Sequence, residues 1–266
     1  MSLGGDPFAS LTDQLVSYVL SFLPSREAVQ TSCLSRRWRH LWRSTPAVRV
    51  CGSDEPFLLL VKNLLIHRNN ASAPPLRLFE IDADLKQRVV CSFCRRKDRH
   101  SKPDRNSRPW EVHPDVDFWV SQALSRCRAR SLTACFSRQE GVPWKPRCPL
   151  PFASVHLTKI HLDTVCLVNG QLDFSCCPAL LRLTLVGCWL HGDALVSPSL
   201  ERLAIVECRR TDEESDDTLH VSLSTPKLRF LEISHNYCKE QFLKMMSWLT
   251  EDSVSYTDVD TMLNGR

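Results

Sequence analysis

Apolar residues near the start of the chain recur at helical spacing. After Leu11, Val19 lies four residues beyond Leu15, and Phe22 and Leu23 lie three and four residues beyond Val19. This spacing predicts one helix with an apolar stripe. Thr12 can cap its start, and Pro24 ends it because proline lacks an amide proton and disfavours helix in the residue before it.

Two further short helices are predicted before Pro46, which closes the segment. Ser25 is expected to cap the second helix, and Ser35 is expected to cap a third that carries Trp38, Leu41 and Trp42. Three helices this short cannot bury their own apolar residues. Either they are the first helices of a larger core, or they present an apolar surface to a partner protein.

A second apolar pattern recurs four times between residues 154 and 238. Offsets of three, two and three residues separate Leu157, Ile160, Leu162 and Val165; Leu180, Leu183, Leu185 and Cys188; Leu200, Leu203, Ile205 and Cys208; and Leu228, Leu231, Ile233 and Asn236. The repeats begin 23, 20 and 28 residues apart, in or near the range of leucine-rich repeats. The alternative is chance alternation in an ordinary sheet.

Each repeat is predicted to supply one short parallel strand. The middle pair of residues points inward, and the cysteine or asparagine after it turns inward to pack or to satisfy the loop backbone. An earlier fragment with Leu76, Phe79 and Ile81 fits the same template, and residues 131–136 predict another strand. Residues 56–67 and 239–249 have the pattern of helices that could cap the two ends.

Composition agrees with a folded protein of a reducing compartment. The 266 residues are 43% hydrophobic with a net charge of +4, which alone does not indicate a nucleic-acid partner. Residues 1–10 lack the features of a signal peptide, and no apolar run approaches the roughly 18 residues that span a bilayer. We therefore interpret most of the 13 cysteines as small buried hydrophobes in the cytoplasm or nucleus, with no membrane partner.

Residues 86–110 are strongly basic and predict a disordered insertion. One alternative is a nuclear localisation signal at 95–102, and another is a contact with nucleic acid. No aromatic residues interleave with these charges, which weakens the nucleic-acid interpretation. Cys91 and Cys94 form a CxxC pair near His100 and His113, but a zinc site usually needs a second pair, so no metal site is predicted. The acidic cluster at 212–217 is either a solvated loop or a patch facing a substrate.

Catalytic motifs are absent from the sequence: it contains no P-loop, GxGxxG, GxSxG or HExxH pattern. The nine histidines are scattered and form no recognisable triad. We therefore expect a binding protein without a cofactor rather than an enzyme.

The N-terminal segment resembles the F-box, in the form found in plant proteins with irregular leucine-rich repeats. The resemblance rests on SFLPSREAV at 21–29 and LSRRWRHLW at 34–42, together with Leu11, Asp13, Leu15, Val19 and Leu20. The family pattern has proline and an acidic residue where this chain has Thr12 and Gln14. The predicted fold is therefore α/β: a three-helix F-box at 6–50, an irregular leucine-rich-repeat solenoid with a short parallel sheet at 51–249, and a polar tail at 250–266 that frays.

The resemblance implies a substrate-recognition adaptor of an SCF-type cullin–RING ubiquitin ligase. The F-box would bind a Skp-type linker subunit and through it a cullin, while other subunits supply the chemistry. Residues implied to contribute to or support that docking surface are Leu11, Leu15, Leu20, Leu23, Pro24, Val29 and Trp38. The alternative function is a leucine-rich-repeat binding module with a degenerate F-box and no ligase role.

The repeats would bind an unknown protein substrate through the exposed positions of their strands. The candidate residues of this substrate face are Lys159, His161, Arg182, Thr184, Arg202, Ala204 and Glu232. Arg229 is a further candidate, offset from the strand pattern.

Overall fold

A computed structural model describes residues 8, 10–51, 55–68, 74–83, 114–136, 144–148, 151–168, 170–191, 194–209, 222–234 and 254–257. Four sequence predictions lie outside these residues: the basic insertion at 86–110 with its CxxC pair, the acidic cluster at 212–217, the helical cap at 239–249 and the inward turn at Asn236.

The N-terminal segment folds as short helices. Helix α1 spans Asp13–Leu20 and α2 spans Ser25–Gln30, followed by 3₁₀ helices at Thr31–Cys33 and Trp38–Ser44. The Thr12 hydroxyl accepts a hydrogen bond from the Leu15 amide at 3.4 Å, so its predicted capping role is confirmed. The Ser35 hydroxyl likewise accepts from the Trp38 amide at 3.3 Å.

The predicted cap at Ser25 is wrong. Pro24 occupies the N-cap position of α2, and Ser25 is the first helical residue. The Ser25 hydroxyl accepts a hydrogen bond from the backbone amide of Arg49 at 3.0 Å. The Ser25 hydroxyl therefore bonds to an amide in the first strand and not to an amide of its own helix.

A parallel sheet follows, and its strands are arranged in the order of the chain. They are β1 (Ala47–Cys51), β2 (Leu78–Ala83), β3 (Ser131–Phe136), β4 (Lys159–Asp163), β6 (Arg182–Val186), β9 (Arg202–Val206), β11 (Phe230–Ser234) and β12 (Val254–Thr257). Each strand pairs with the next one in this series. The expected strands at 131–136 and in all four repeats are present.

Helices and shorter strands accompany this sheet. Helix α3 spans Glu55–Arg68, as predicted, and α4 spans Pro114–Ser125. Two parallel pairs of three-residue strands join β5 (Cys166–Val168) to β7 (Trp189–His191) and β8 (Ala194–Val196) to β10 (Ser222–Ser224). The sequence did not predict β1, α4 or these short pairs.

Alternate residues of the long strands point into one core. In each of β4, β6, β9 and β11 both apolar residues of the repeat are buried: Ile160 and Leu162, Leu183 and Leu185, Leu203 and Ile205, Leu231 and Ile233. Trp119 from α4 and Leu65 from α3 belong to the same core. Because side chains alternate between the two faces of a strand, the intervening residues form the outer face of the sheet.

The turns after three repeat strands share one backbone feature. Thr164, Gly187 and Glu207 directly follow β4, β6 and β9, and their φ angles are 59°, 56° and 50°. The next residue in two of them is a buried cysteine: the thiol of Cys188 lies 3.5 Å from the Leu162 carbonyl oxygen, and that of Cys208 lies 3.5 Å from the Leu185 oxygen. The predicted inward turn of these cysteines is confirmed.

Two expectations differ from the structure. After Glu251 we expected a frayed polar tail, yet Val254–Thr257 pair with β11 as β12. We also expected most cysteines to be buried, but only five of the ten in the described residues are: Cys127, Cys166, Cys177, Cys188 and Cys208. All ten have free thiols.

Candidate protein-interaction site

The N-terminal helices pack around a small core of their own. Val16 and Leu20 of α1 meet Ala28 of α2 and Trp38 of the following 3₁₀ helix, and all four are buried. The Ser17 hydroxyl lies 2.9 Å from the Ser44 hydroxyl, which joins α1 to the end of that 3₁₀ helix. One face of α1 is therefore used to hold the module together.

Arg37 ties the chain before α1 to the same module. Its Nε donates to Asp13 Oδ1 at 2.9 Å, its Nη1 donates to the Phe8 carbonyl at 3.0 Å, and its Nη2 donates to the Leu11 carbonyl. The Phe8 ring packs edge-on against Trp38 with centroids 5.2 Å apart. These contacts fix the direction in which the chain enters α1.

The opposite face of α1 carries an apolar stripe that the described residues leave uncovered. Leu15, Tyr18 and Val19 of α1 and Phe22 in the turn after it follow at intervals that place them on one side, and 47–62% of each residue is exposed. The rings of Tyr18 and Phe22 are in edge contact, with centroids 5.1 Å apart. We call these four residues the α1 stripe. A contiguous apolar surface of this kind is a candidate interaction site.

Two arginines attach the N-terminal helices to the rest of the fold. Arg49 of β1 donates from Nε to the Ser21 carbonyl at 3.2 Å and forms an ion pair with Glu80 of β2. Arg68 at the end of α3 is buried and donates to the carbonyls of Arg43 at 2.9 Å and Pro74 at 3.3 Å. Burial lowers the pKa of Arg68 to about 10, so it stays charged at neutral pH.

Hydrogen-bond register places the predicted substrate-face residues in two rows on the outer face of the sheet. One row runs Lys159, Arg182, Arg202 and Phe230; the other runs His161, Thr184, Ala204 and Glu232. Arg229 precedes β11, which agrees with its predicted offset, and Phe230 takes its place in the first row. Burial lowers the pKa of His161, partly opposed by the nearby carboxylates of Asp163 and Glu80.

Residues 8–47 match the family model of the F-box domain. The chain is 28% identical to the MEIOTIC F-BOX protein MOF of Oryza sativa subsp. japonica, over 96% of this chain and 52% of that protein. It is 25% identical to F-box/LRR-repeat protein 13 of Arabidopsis thaliana, over 97% of this chain and 57% of that protein. A second F-box/LRR-repeat protein of Arabidopsis thaliana is 34% identical, over 46% of this chain and 21% of that protein.

The resemblance to plant F-box/leucine-rich-repeat proteins is confirmed. The chain spans about half, or less, of the length of these curated relatives. The part that matches the F-box ends at residue 47, where β1 begins.

The F-box residues implied in linker docking differ in their exposure. Leu15 lies on the α1 stripe, and four others are partly buried: Leu11, Leu23, Pro24 and Val29. Leu20 and Trp38 are buried in the F-box core and are not available to touch a partner. Within the F-box they are core residues. Tyr18, which sequence reasoning passed over, completes the helical spacing between Leu15 and Phe22.

Other kinds of site are not seen in the described part of this F-box/leucine-rich-repeat-like chain. Within those residues no group of three or more histidine, cysteine, aspartate or glutamate side chains is placed to hold a metal ion. Nor does any helix there have both the length and the apolar character that crossing a bilayer requires.

Proposed function

We propose that this chain is a substrate-recognition adaptor of an SCF-type cullin–RING ubiquitin ligase. The F-box would bind the Skp-type linker subunit and through it the cullin. The outer face of the parallel sheet would bind a protein substrate. The observation that carries the proposal is the α1 stripe: four large apolar side chains lie exposed on one side of the helix, within the part of the chain that matches the F-box.

The structure of the F-box supports docking by the α1 stripe. The inner face of α1 is packed into the F-box core. The α1 stripe therefore does not need to move for a partner to cover it. Apolar and aromatic side chains are the groups that contribute most at protein interfaces. Arg37 and Asp13 lie beside the start of the helix and would provide a polar rim.

We interpret the parallel sheet as an irregular leucine-rich-repeat solenoid. Three features support this: strands follow chain order, repeat starts are 20–28 residues apart, and equivalent positive-φ residues end three successive repeat strands. Such a sheet offers one continuous outer face for binding. An adaptor with binding surfaces at both ends would hold its substrate near a ubiquitin-conjugating enzyme, so that transfer becomes effectively intramolecular.

The second candidate function is a repeat protein whose F-box no longer engages a ligase. The observation that favours it is local: Thr12 and Gln14 replace the family's proline and acidic residue, and the Thr12 cap is a long hydrogen bond of 3.4 Å. The start of α1 is nevertheless capped by Thr12.

Capture of a Skp-type linker subunit by the full chain tests the proposal. Val19→Asp places a charge in the middle of the α1 stripe, whereas Asn63→Asp adds the same charge at an exposed position of α3. We expect Val19→Asp to reduce capture by at least about tenfold and Asn63→Asp to leave it unchanged, with both variants unfolding at the wild-type temperature. Absence of capture by the wild type, or equal capture by Val19→Asp, would favour the second function.

A further inference from the structure

Three basic residues occupy one register row on the outer face of the sheet. Lys159 of β4 pairs with Arg182 of β6, which pairs with Arg202 of β9. All three are exposed. Because adjacent strands lie about 4.8 Å apart, the Cα atoms of the three residues span roughly 10 Å. We call these three residues the basic row.

Nothing in the described part of the chain neutralises the basic row. Its residues form no ion pair with a carboxylate described in the structure, where the ion pairs are Arg37–Asp13 and Arg49–Glu80. Like charges directly opposite each other on neighbouring strands destabilise a sheet. A row that is unfavourable to the fold and open to solvent is suited to an anionic partner.

The far end of the basic row is held in place by an aromatic ring. The guanidinium carbon of Arg202 lies 4.0 Å from the centroid of the Phe230 ring, and Phe230 is the register partner of Arg202 on β11. This cation–π contact limits where Arg202 can point, which lowers the entropy lost when it binds a ligand. Phe230 is therefore a positioning residue for Arg202.

Carboxylates lie on one side of the basic row and limit how far an anion could extend in that direction. Asp163 lies four residues along β4 from Lys159, and Glu232 lies two residues along β11 from Phe230. A step of two residues along a strand is about 6.6 Å. Negative side chains therefore bound the positive part of the face on the side toward which the strands run, whereas the exposed Arg130 and Arg229 directly precede β3 and β11 on the other side.

This boundary favours a peptide over a nucleic acid. A DNA duplex, whose major groove alone is about 12 Å wide, would bring phosphates over Asp163 and Glu232. Single strands are held by bases that stack on free aromatic faces, but one face of Phe230 already carries the Arg202 guanidinium. An extended peptide laid across the strands along the row stays clear of both carboxylates.

We propose that the basic row binds an acidic segment of the protein substrate: a run of aspartate or glutamate residues crossing β4, β6 and β9. The inference rests on the proposed function, because it names the substrate class of the same face. Arg182 and Arg202 can each bind a carboxylate through two parallel hydrogen bonds, and Lys159 adds a point charge.

Peptide binding to the full chain tests this inference. The probe is a fluorescein-labelled peptide of about ten residues that alternates glutamate with serine, and its control has glutamine in place of glutamate. We expect the acidic peptide to bind, more weakly as salt rises, and the glutamine peptide not to bind. Arg182→Glu is expected to weaken binding by about tenfold or more, whereas Arg126→Glu, an exposed arginine directly after α4, leaves it within about twofold.

Two results would overturn the inference. One is a failed control: the glutamine peptide binds as tightly as the acidic peptide, or Arg126→Glu weakens binding as much as Arg182→Glu does. The other is tighter binding of a labelled RNA of about 12 nucleotides that Arg182→Glu abolishes, since this would identify a nucleic-acid surface.

Linker capture, measured on the same variants, separates this inference from the proposed function. Arg182→Glu is expected to capture the Skp-type linker like the wild type, because β6 is remote in sequence and register from the F-box. Peptide binding without linker capture would overturn the adaptor role and keep the basic row as an acidic-peptide site. Linker capture without peptide binding would overturn the basic row alone.

Discussion

Truncation of two neighbouring F-box residues separates docking from folding. Phe22 is 62% exposed on the α1 stripe, whereas Leu20 is 2% exposed in the F-box core. Full burial of a phenylalanine stabilises by about 1.5–3 kcal/mol, so the exposed fraction leaves about 1–2 kcal/mol for a partner to recover. Phe22→Ala should therefore raise the Kd for the Skp-type linker by about 5–30-fold and leave the free energy of unfolding almost unchanged.

Leu20→Ala should behave in the opposite way. Removing a buried leucine costs about 2–5 kcal/mol of folding free energy, a large part of the roughly 5–15 kcal/mol that a domain has. The variant is expected to lose linker binding only to the extent that the F-box unfolds. Substitutions at Leu20 or Trp38 therefore test folding and cannot by themselves test docking.

Calorimetric titration with the linker and urea unfolding of each variant provide the two measurements. The reasoning fails if folded Phe22→Ala binds with the wild-type Kd, because the α1 stripe would then not be covered by the linker. It also fails if Leu20→Ala keeps wild-type stability, because the F-box core would then not depend on that side chain.

Three further variants test other parts of the structure. Gly187→Ala should lower the free energy of unfolding by about 1 kcal/mol in urea, because φ is 56° there; an unchanged midpoint would contradict this. Phe230→Leu should weaken acidic-peptide binding by about two- to fivefold by releasing Arg202, and unchanged affinity would count against the positioning role. Burial lowers the pKa of His161, so the unfolded chain takes up the proton first, and wild-type stability should fall as pH drops below about 6.5. His161→Gln should lessen that fall in urea titrations across this range, and an equal slope in both proteins would refute the assignment.

The repeat strands were predictable because their physical signal is simple. Each has two inward leucine or isoleucine residues separated by one outward residue, and the parallel register then brings equivalent residues side by side. That is why residues chosen from the sequence as outward, such as Lys159 and Arg182, lie in one row. Arg229 and Phe230 were harder to place because the backbone amides of both donate to the Glu201 carbonyl. Only the strand register shows that Phe230, and not Arg229, lies in the row of Lys159, Arg182 and Arg202.

Other features depend on tertiary contacts that no local pattern contains. Helix α1 has apolar residues on two faces, and the sequence cannot tell that Val16 and Leu20 face inward while Leu15 and Phe22 stay exposed. Strands of three residues, such as β5 and β7, are too short to show an alternation. Ser25 has the composition of a cap, but the amide of Arg49 competes for its hydroxyl.

The strictly sequential strand order has a consequence for how the protein folds. The register partners Lys159 and Arg182 are separated by only 23 residues of chain, and Arg182 and Arg202 by 20. Each of these strands therefore pairs with one that precedes it closely in the chain. Contacts this local close small loops, which favours fast folding that can start at one strand pair and spread in both directions. A defect in β11 or β12 should then unravel one edge of the sheet while the F-box remains folded at the other.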